Sequence, residues 1–496
     1  MNAKEFLNNV CKEIKYKPAN KLISDELEAH IEELKNDNLC KGLSEEQAEE
    51  TAVEQMGDAK KIGKRLNKIH KPKTDWIMLI FIFGFLWFGD LFWMLYYQPG
   101  WWNHDTGYWR VHYRLTLIGM ILGIALSIYL FFYDYRKICK HTKLIYILAT
   151  VLNVVAYLRG FRANGNLLYG LYPFMQGSPS VLTIPLYIIA FAGFIKDINK
   201  ENKINITISN GRKINTNIIC LIILSILSVI TSLMINFVSG FLVTIVYLII
   251  STRELLKRKQ YKNTIILIGA SILLFILLST IICIIPVKWQ MGDYYAKLTS
   301  AYWVGANTVG ERRIDFVREK IFENAKMFGE ADLEGISLKD EQGYHSSIQN
   351  WFSTNGLFAF LGILREYGWV ASIGLIAVLL LFNIKLIINS IKIKDTYGKL
   401  ITIGISSLFI VQIICNLAMN LGIIGVAEFD LPLISGGKAT LITNMLCMSL
   451  ILSIYRRKDI NFEEPKKSKL LTKIEDFFFE EVEENEEGVE VINAYK

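Results

Sequence analysis

The chain has 496 residues, 52% of them hydrophobic and only 20% charged, with a formal net charge of +7. Its mean hydropathy of +0.32 excludes a single soluble globule, whose one core has too little volume to hide so much apolar surface. The excess positive charge is informative through its placement along the chain rather than through its total.

Residues 1–74 are polar and read as a small helical module. Ser44-Glu45-Glu46-Gln47 is a capping box opening a helix to Met56, with Gly57-Asp58 as its stop. A preceding helix over Ser24 to Asn36 aligns Leu27, Ile31 and Leu34; a following one over Ala59 to Ile69 aligns Ile62, Leu66 and Ile69. For His30 a helix-face histidine is the reading, ahead of a metal ligand. The polar start carries no cleavable signal pattern, and the first apolar stretch is expected to direct insertion.

Ten apolar stretches follow, near 76–97, 112–133, 143–159, 180–195, 217–236, 237–251, 264–286, 369–389, 398–423 and 432–455. A hydrocarbon core takes about 20 apolar helical residues to cross, because no backbone polar group can stay unpaired there. The expected fold class is therefore all-α: a polytopic membrane protein of about ten transmembrane helices with a small N-terminal helical domain. The division between stretches five and six, near Asn236 to Gly240, is the least marked, and the third, fourth and sixth stretches are short.

Basic residues in alternate loops set the orientation. They are Arg136, Lys137, Lys140 and Lys143; then Lys196, Lys200, Lys203, Arg212 and Lys213; then Arg253, Lys257, Arg258, Lys259 and Lys262. Lys392, Lys394 and Lys399, and finally Arg456, Arg457 and Lys458, complete the series. The intervening loops are aromatic or nearly uncharged, as with Trp101, Trp102, Tyr108 and Trp109, which suit an interface belt. Both termini are expected in the cytoplasm, and the long polar excursion from Lys288 to Asn355 outside. None of the seven cysteines falls in that excursion, so no disulfide framework is implied. The tail after Lys458, with Glu480, Glu481, Glu483, Glu484, Glu486 and Glu487, reads as a solvated acidic end.

Two stretches have distinctive wording. Ile23-Ser24-Asp25-Glu26-Leu27-Glu28-Ala29-His30-Ile31 and Ala52-Val53-Glu54-Gln55-Met56-Gly57-Asp58 resemble the permease-prefix or HAAS-type domain, which implies a regulatory or docking role. Near the other end stand Asp395-Thr396-Tyr397-Gly398-Lys399, then Gln412, Asn416 and Gly422. After them come Leu431-Pro432-Leu433-Ile434-Ser435-Gly436-Gly437 and Arg456-Arg457. This text resembles the SEDS family (FtsW, RodA, SpoVE), lacking only the tyrosine the family places before its glycine pair. Gln176-Gly177-Ser178-Pro179-Ser180 and Arg365-Glu366-Tyr367-Gly368-Trp369 are fainter echoes of the same pattern.

The resemblance implies a bacterial plasma-membrane peptidoglycan glycosyltransferase, acting in division, elongation or sporulation. Such a protein polymerises lipid II, or another polyprenyl-diphosphate-linked sugar, at the outer membrane face beside a transpeptidase partner. Membrane lipid is the other partner, and the basic loops need no nucleic acid to explain them. Glycosyl transfer requires a base for the acceptor hydroxyl and positive charge or a divalent cation for the departing diphosphate. The family's loop aspartate has no counterpart: ungapped counting from Gly368 reaches Leu357, and a two-residue insertion reaches Asn355. Glu366, at the outer end of the eighth stretch, is the best-placed substitute, with Arg365 beside it; an interfacial ion pair is the competing explanation. Adjacent residues on a helix are expected to point in different directions.

Arg159 and Arg162 suit diphosphate oxygens, or else snorkel to the interface. Pro432, Ser435, Gly436 and Gly437 are expected to shape a loop and a helix start with free backbone donors. Asp90, inside the first stretch, needs a basic partner or a wet cavity, and His345 in the excursion has no special claim. The pattern holds no metal-ligand cluster and no phosphate-cradling glycine loop. Two other roles compete with the enzyme: a catalytically degenerate scaffold for wall synthases, and a carrier of lipid-linked substrate.

Overall fold

The computed structural model describes residues 2–17, 20–70, 76, 84, 107–159, 161–163, 166–168, 179–200, 205–207, 213–257, 261–284, 309–333, 337–339, 345–347, 356–424, 429–434 and 438–458. The chain divides into two compact units, Met1–Lys73 with Arg457–Lys496, and Thr74–Arg456.

The first unit holds four helices, α1 (Ala3–Glu13), α2 (Asn20–Cys40), α3 (Glu45–Met56) and α4 (Ala59–His70). The Ser44 hydroxyl accepts from the Gln47 amide at 3.4 Å, so the predicted cap forms. Helix α2 is longer at both ends than its apolar stripe suggested. Helix α1 was not foreseen, yet it supplies two fully buried core residues, Phe6 and Val10. Asn2 caps it by accepting from the Glu5 amide at 2.8 Å.

The second unit is a bundle of long apolar helices: α5 (Gly107–Phe132), α7 (Thr142–Arg159), α8 (Ser180–Lys200), α9 (Thr216–Ile235), α10 (Phe237–Lys257), α11 (Tyr261–Ile284), α14 (Trp369–Ile391), α15 (Thr396–Asn420) and α16 (Lys438–Arg456). Between them lie the short α6 (Arg136–Cys139), α12 (Val309–Asn324) and α13 (Ala359–Tyr367). Five spans are long and apolar enough to cross a bilayer by length and composition, and four shorter apolar helices accompany them, among the described residues. The all-α polytopic reading holds, apart from three two-stranded antiparallel hairpins with strands of three residues each. Expected stretches two to ten each coincide with one helix. The first, with Asp90, lies outside the described residues save for Trp76 and Gly84.

Three boundaries need correction. The sixth span is not short, since α10 continues to Lys257; Glu254 in its last turn is buried and bonded to Arg253, so the charges do not end the helix. The fourth runs to Lys200 instead of 195. The tenth begins at Lys438 instead of 432, because Leu431 to Ile434 form a turn in which Leu433 has φ +71°.

Spans five and six divide at a single residue, Asn236, whose side chain accepts from the Ser239 amide at 2.7 Å and so caps α10. A Cβ on Gly240 would lie 2.4 Å from Leu233 side-chain carbons and 3.3 Å from its amide nitrogen. Only glycine lets the two helices meet so closely behind the tip.

Apolar contact alone gives helices little reason to associate in lipid, so buried hydrogen bonds matter there. Tyr187 of α8 is the hub: its hydroxyl lies 3.2 Å from Thr150 Oγ1 of α7 and 2.9 Å from Thr231 Oγ1 of α9. Thr183 donates to Asn153 Oδ1 at 2.9 Å, adding a second rung between α7 and α8. The opposite surfaces are greasy: Ile121, Leu122 and Ile128 on α5, and Ile373, Leu381 and Ile388 on α14, are all exposed, as lipid-facing rows require.

Candidate functional site

The two ends of the bundle differ in how their polar groups are held. At one end, Asp395 caps α15 by accepting from the Gly398 amide at 2.8 Å. The same carboxylate accepts from the Tyr135 hydroxyl at 3.0 Å and lies 3.7 Å from Lys196 Nζ of α8. Lys196 also sits 5.5 Å from the centre of the Tyr397 ring, which stacks against Tyr135. The text Asp395 to Gly398 is thereby absorbed into fastening α15 to α8 and to the loop after α5.

At the other end, Asn416 from the distinctive wording forms a clamp. Buried Asn416 donates through Nδ2 to the Leu357 carbonyl at 2.9 Å and to the Phe429 carbonyl at 2.6 Å. Asn420, one helical turn on, donates to the same Leu357 carbonyl at 3.1 Å and to the Asn416 carbonyl at 2.8 Å. Two segments far apart in sequence, the 3-10 turn Gly356–Phe358 and the stretch from Phe429, are thus tied to one face of α15. Arg318 of α12 adds a charged strut, with Nη2 3.3 Å from the Met419 carbonyl at the electronegative end of α15.

Helix α13 enters this end and breaks at Gly368, with φ +85°. The strand of backbone from Lys326 to Ala331 lines the break: Ala331 donates to the Arg365 carbonyl at 2.7 Å, and Trp369 donates to the Lys326 carbonyl at 3.1 Å. A Cβ on Gly368 would stand 2.6 Å from that Lys326 oxygen. Trp369 stacks on Phe322 of α12, closing the joint.

Glu366 lies in the last turn of α13, and the neighbouring Arg365 guanidinium is bonded directly to it, with Arg365 itself buried. The expectation that these neighbours point apart is therefore corrected, and the ion-pair alternative describes what is seen. Pro432 lies in the turn Leu431 to Ile434, held by an Ile434 to Leu431 backbone bond of 3.3 Å. Leu433, buried and at positive φ, is the one non-glycine residue so placed among the described residues, and such strain concentrates at functional turns. Ser435, Gly436, Gly437 and Asn355 lie outside the described residues. Arg159 ends α7, and Arg162 lies in β1 (Phe161–Ala163), opposite Leu167 of β2 (Asn166–Leu168).

One carboxylate escaped the sequence reading. Asp430 follows the clamped Phe429 and accepts from the Thr440 hydroxyl of α16 at 3.1 Å. Burial raises its carboxyl above the usual aspartate range, against the lowering effect of that hydrogen bond. An acid two residues after Glu428 in a largely apolar stretch carried no signal; only the Asn416 clamp, which sets its neighbour, gives it a place. No three His, Cys, Asp or Glu residues gather as metal ligands among the described residues.

The described residues thus form a polytopic helical bundle with a helix break and a side-chain clamp at one end. Over 78% of this chain and 98% of the other, the fold matches a chain from a solved structure described as "Structural coordination of polymerization and crosslinking by a peptidoglycan synthase complex", with TM-score 0.55 and 17% identity. Residues 342–460 match the family model FTSW_RODA_SPOVE, described as "Cell cycle protein". The chain is 31% identical over 106 residues to the peptidoglycan glycosyltransferase RodA of Treponema pallidum, covering 21% of this chain and 24% of that protein. It is also 31% identical over 123 residues to the stage V sporulation protein E of Bacillus subtilis, covering 23% and 32%. The matched sequence spans less than a third of either relative's length. The sequence kinship with that family is concentrated in residues 342–460, the segment that builds the clamp and the turn.

Proposed function

We propose that this protein is a peptidoglycan glycosyltransferase that polymerises lipid II, or a closely related polyprenyl-diphosphate-linked sugar, with a transpeptidase as its partner. The observation that carries this reading is the Asn416 clamp: the family-matched segment is the one that knots 356–358 to 429–434 at a helix-end site. A donor with its tail in lipid and its diphosphate in the headgroup layer has its reactive carbon at that depth. The basic residues of alternate loops support a reading with this end outside and both termini in the cytoplasm. Arg159, Arg162 and Arg365 are the proposed diphosphate contacts, with Pro432, Ser435, Gly436 and Gly437 shaping the cradle. Glu366 and Asn355 remain proposed parts of the reacting site, Glu366 with its charge shared by Arg365. Residues 1–74 act as a docking or regulatory module.

The test gives purified protein, alone and with a candidate transpeptidase, labelled lipid II and resolves the products by gel. Glycan strands support the enzyme. Lipid II binding without strands supports a scaffold, and accelerated flipping in vesicles a carrier. An impermeant thiol reagent should label Ser337→Cys in intact cells; labelling only after lysis would reverse the proposed sidedness.

A further inference from the structure

Transfer of a sugar from a diphosphate asks for an ionisable acceptor of the hydroxyl proton, near neutral pH and within reach of the anomeric carbon. The two segments where such a group was expected disappoint. Glu366 is bonded to the buried Arg365 guanidinium, and position 357, to which ungapped counting leads, is a leucine. The clamp changes what lies beside that leucine. Asn416 Nδ2 bonds both the Leu357 and Phe429 carbonyls, so the two backbones pass within hydrogen-bond reach of one atom. Asp430 is the very next residue after Phe429.

Its setting suits a base. Asp430 is partly buried. Its described hydrogen bond comes from a neutral hydroxyl, Thr440, rather than from a cation, so its charge is not cancelled by that partner. On its other side the chain enters the turn in which Leu433 is held at φ +71°. Asp430 thus stands between two fixed points, the Asn416 clamp before it and the strained turn after it. Burial lifts its proton affinity above that of an ordinary aspartate. Among the described side chains, burial and the Thr440 hydroxyl are the influences acting on it.

We propose that Asp430 is the catalytic base of the glycosyl transfer, supplied from the loop between α15 and α16 in place of a carboxylate at residues 355–357. This rests on the glycosyltransferase reading above. In the step, one Asp430 oxygen takes the proton from the acceptor sugar hydroxyl. The hydroxyl oxygen forms a bond to the anomeric carbon of the donor. The bond from that carbon to the diphosphate oxygen breaks, and its electron pair leaves with the diphosphate. Thr440 is a positioning residue that orients the carboxylate and favours its ionised form.

The experiment uses the full-length protein with its transpeptidase and labelled lipid II, comparing wild type, Asp430→Asn, Asp430→Glu and Thr440→Val. Asp430→Asn should keep lipid II binding and lower the rate of strand formation by about 100-fold or more, with Asp430→Glu recovering part of it. Thr440→Val removes the bond that lowers the carboxyl pKa, so the acid limb of the pH–rate profile should move to higher pH. A purely structural Asp430 would leave that limb in place. Strands formed by Asp430→Asn at near wild-type rate overturn the proposal alone. No strands from the wild type overturn the functional reading and this proposal with it. If Asp430→Asn fails to fold, an unmoved acid limb in Thr440→Val overturns the proposal.

Discussion

The two ends of the bundle use an aspartate each, and they use it oppositely. Asp395 is saturated, with a backbone amide, a tyrosine hydroxyl and a lysine around one carboxylate. Asp430 has a single threonine hydroxyl as its described partner. A fully partnered carboxylate locks helices together, whereas a sparsely partnered one keeps capacity to accept a proton. Distinctive wording in the sequence drew attention to Asp395, whose role is architectural; the plainer Asp430 holds the chemical interest.

Four substitutions break or sharpen this contrast, each read by denaturant unfolding of the purified protein in detergent. Asn416→Leu should have the largest effect, about 4 kcal/mol, because it strips a shared donor from two backbone carbonyls at once. Gly368→Ala should cost about 3 kcal/mol, since positive φ and the Lys326 carbonyl both resist a Cβ. Asp395→Ala should cost about 2 kcal/mol, combining a lost helix cap with a stranded tyrosine hydroxyl. Asp430→Asn should be neutral or slightly stabilising at pH 7. The sign follows from linkage: a carboxyl raised in the folded state binds its proton more tightly there, so its ionised form weighs against folding above that raised pKa. Stability should rise as pH falls through the raised value in the wild type, and the Asn variant should lack that rise. Equal destabilisation by Asp395→Ala and Asp430→Asn would erase the distinction between the two ends.

Much of the scaffold was legible because lipid imposes a simple rule on apolar run length. Nine of ten expected stretches coincide with helices, with boundaries shifted where side chains answer the charge, as at Glu254 and Arg253. The tenth span starts late because a proline and a strained leucine hold a turn that hydropathy alone counts as greasy. The site was less legible, for a physical reason. Hydropathy and motif text report what a residue is, whereas the Asn416 clamp and the Arg365 contact with Glu366 depend on what lies across space. The first helix, α1, escaped notice because its apolar residues are few and only the packing of α2, α3 and α4 against them reveals their depth.

The one-residue joint at Asn236 bears on how the chain is made. Helices α9 and α10 have no linker in which a half-threaded state could rest, and their closest approach sits directly behind the tip. They are expected to enter the membrane as a single bent rod, both limbs crossing together. A reporter peptide spliced at Asn236 would therefore wedge the limbs apart and misreport the topology it was meant to read, whereas one placed beyond Lys257 would leave the pair intact.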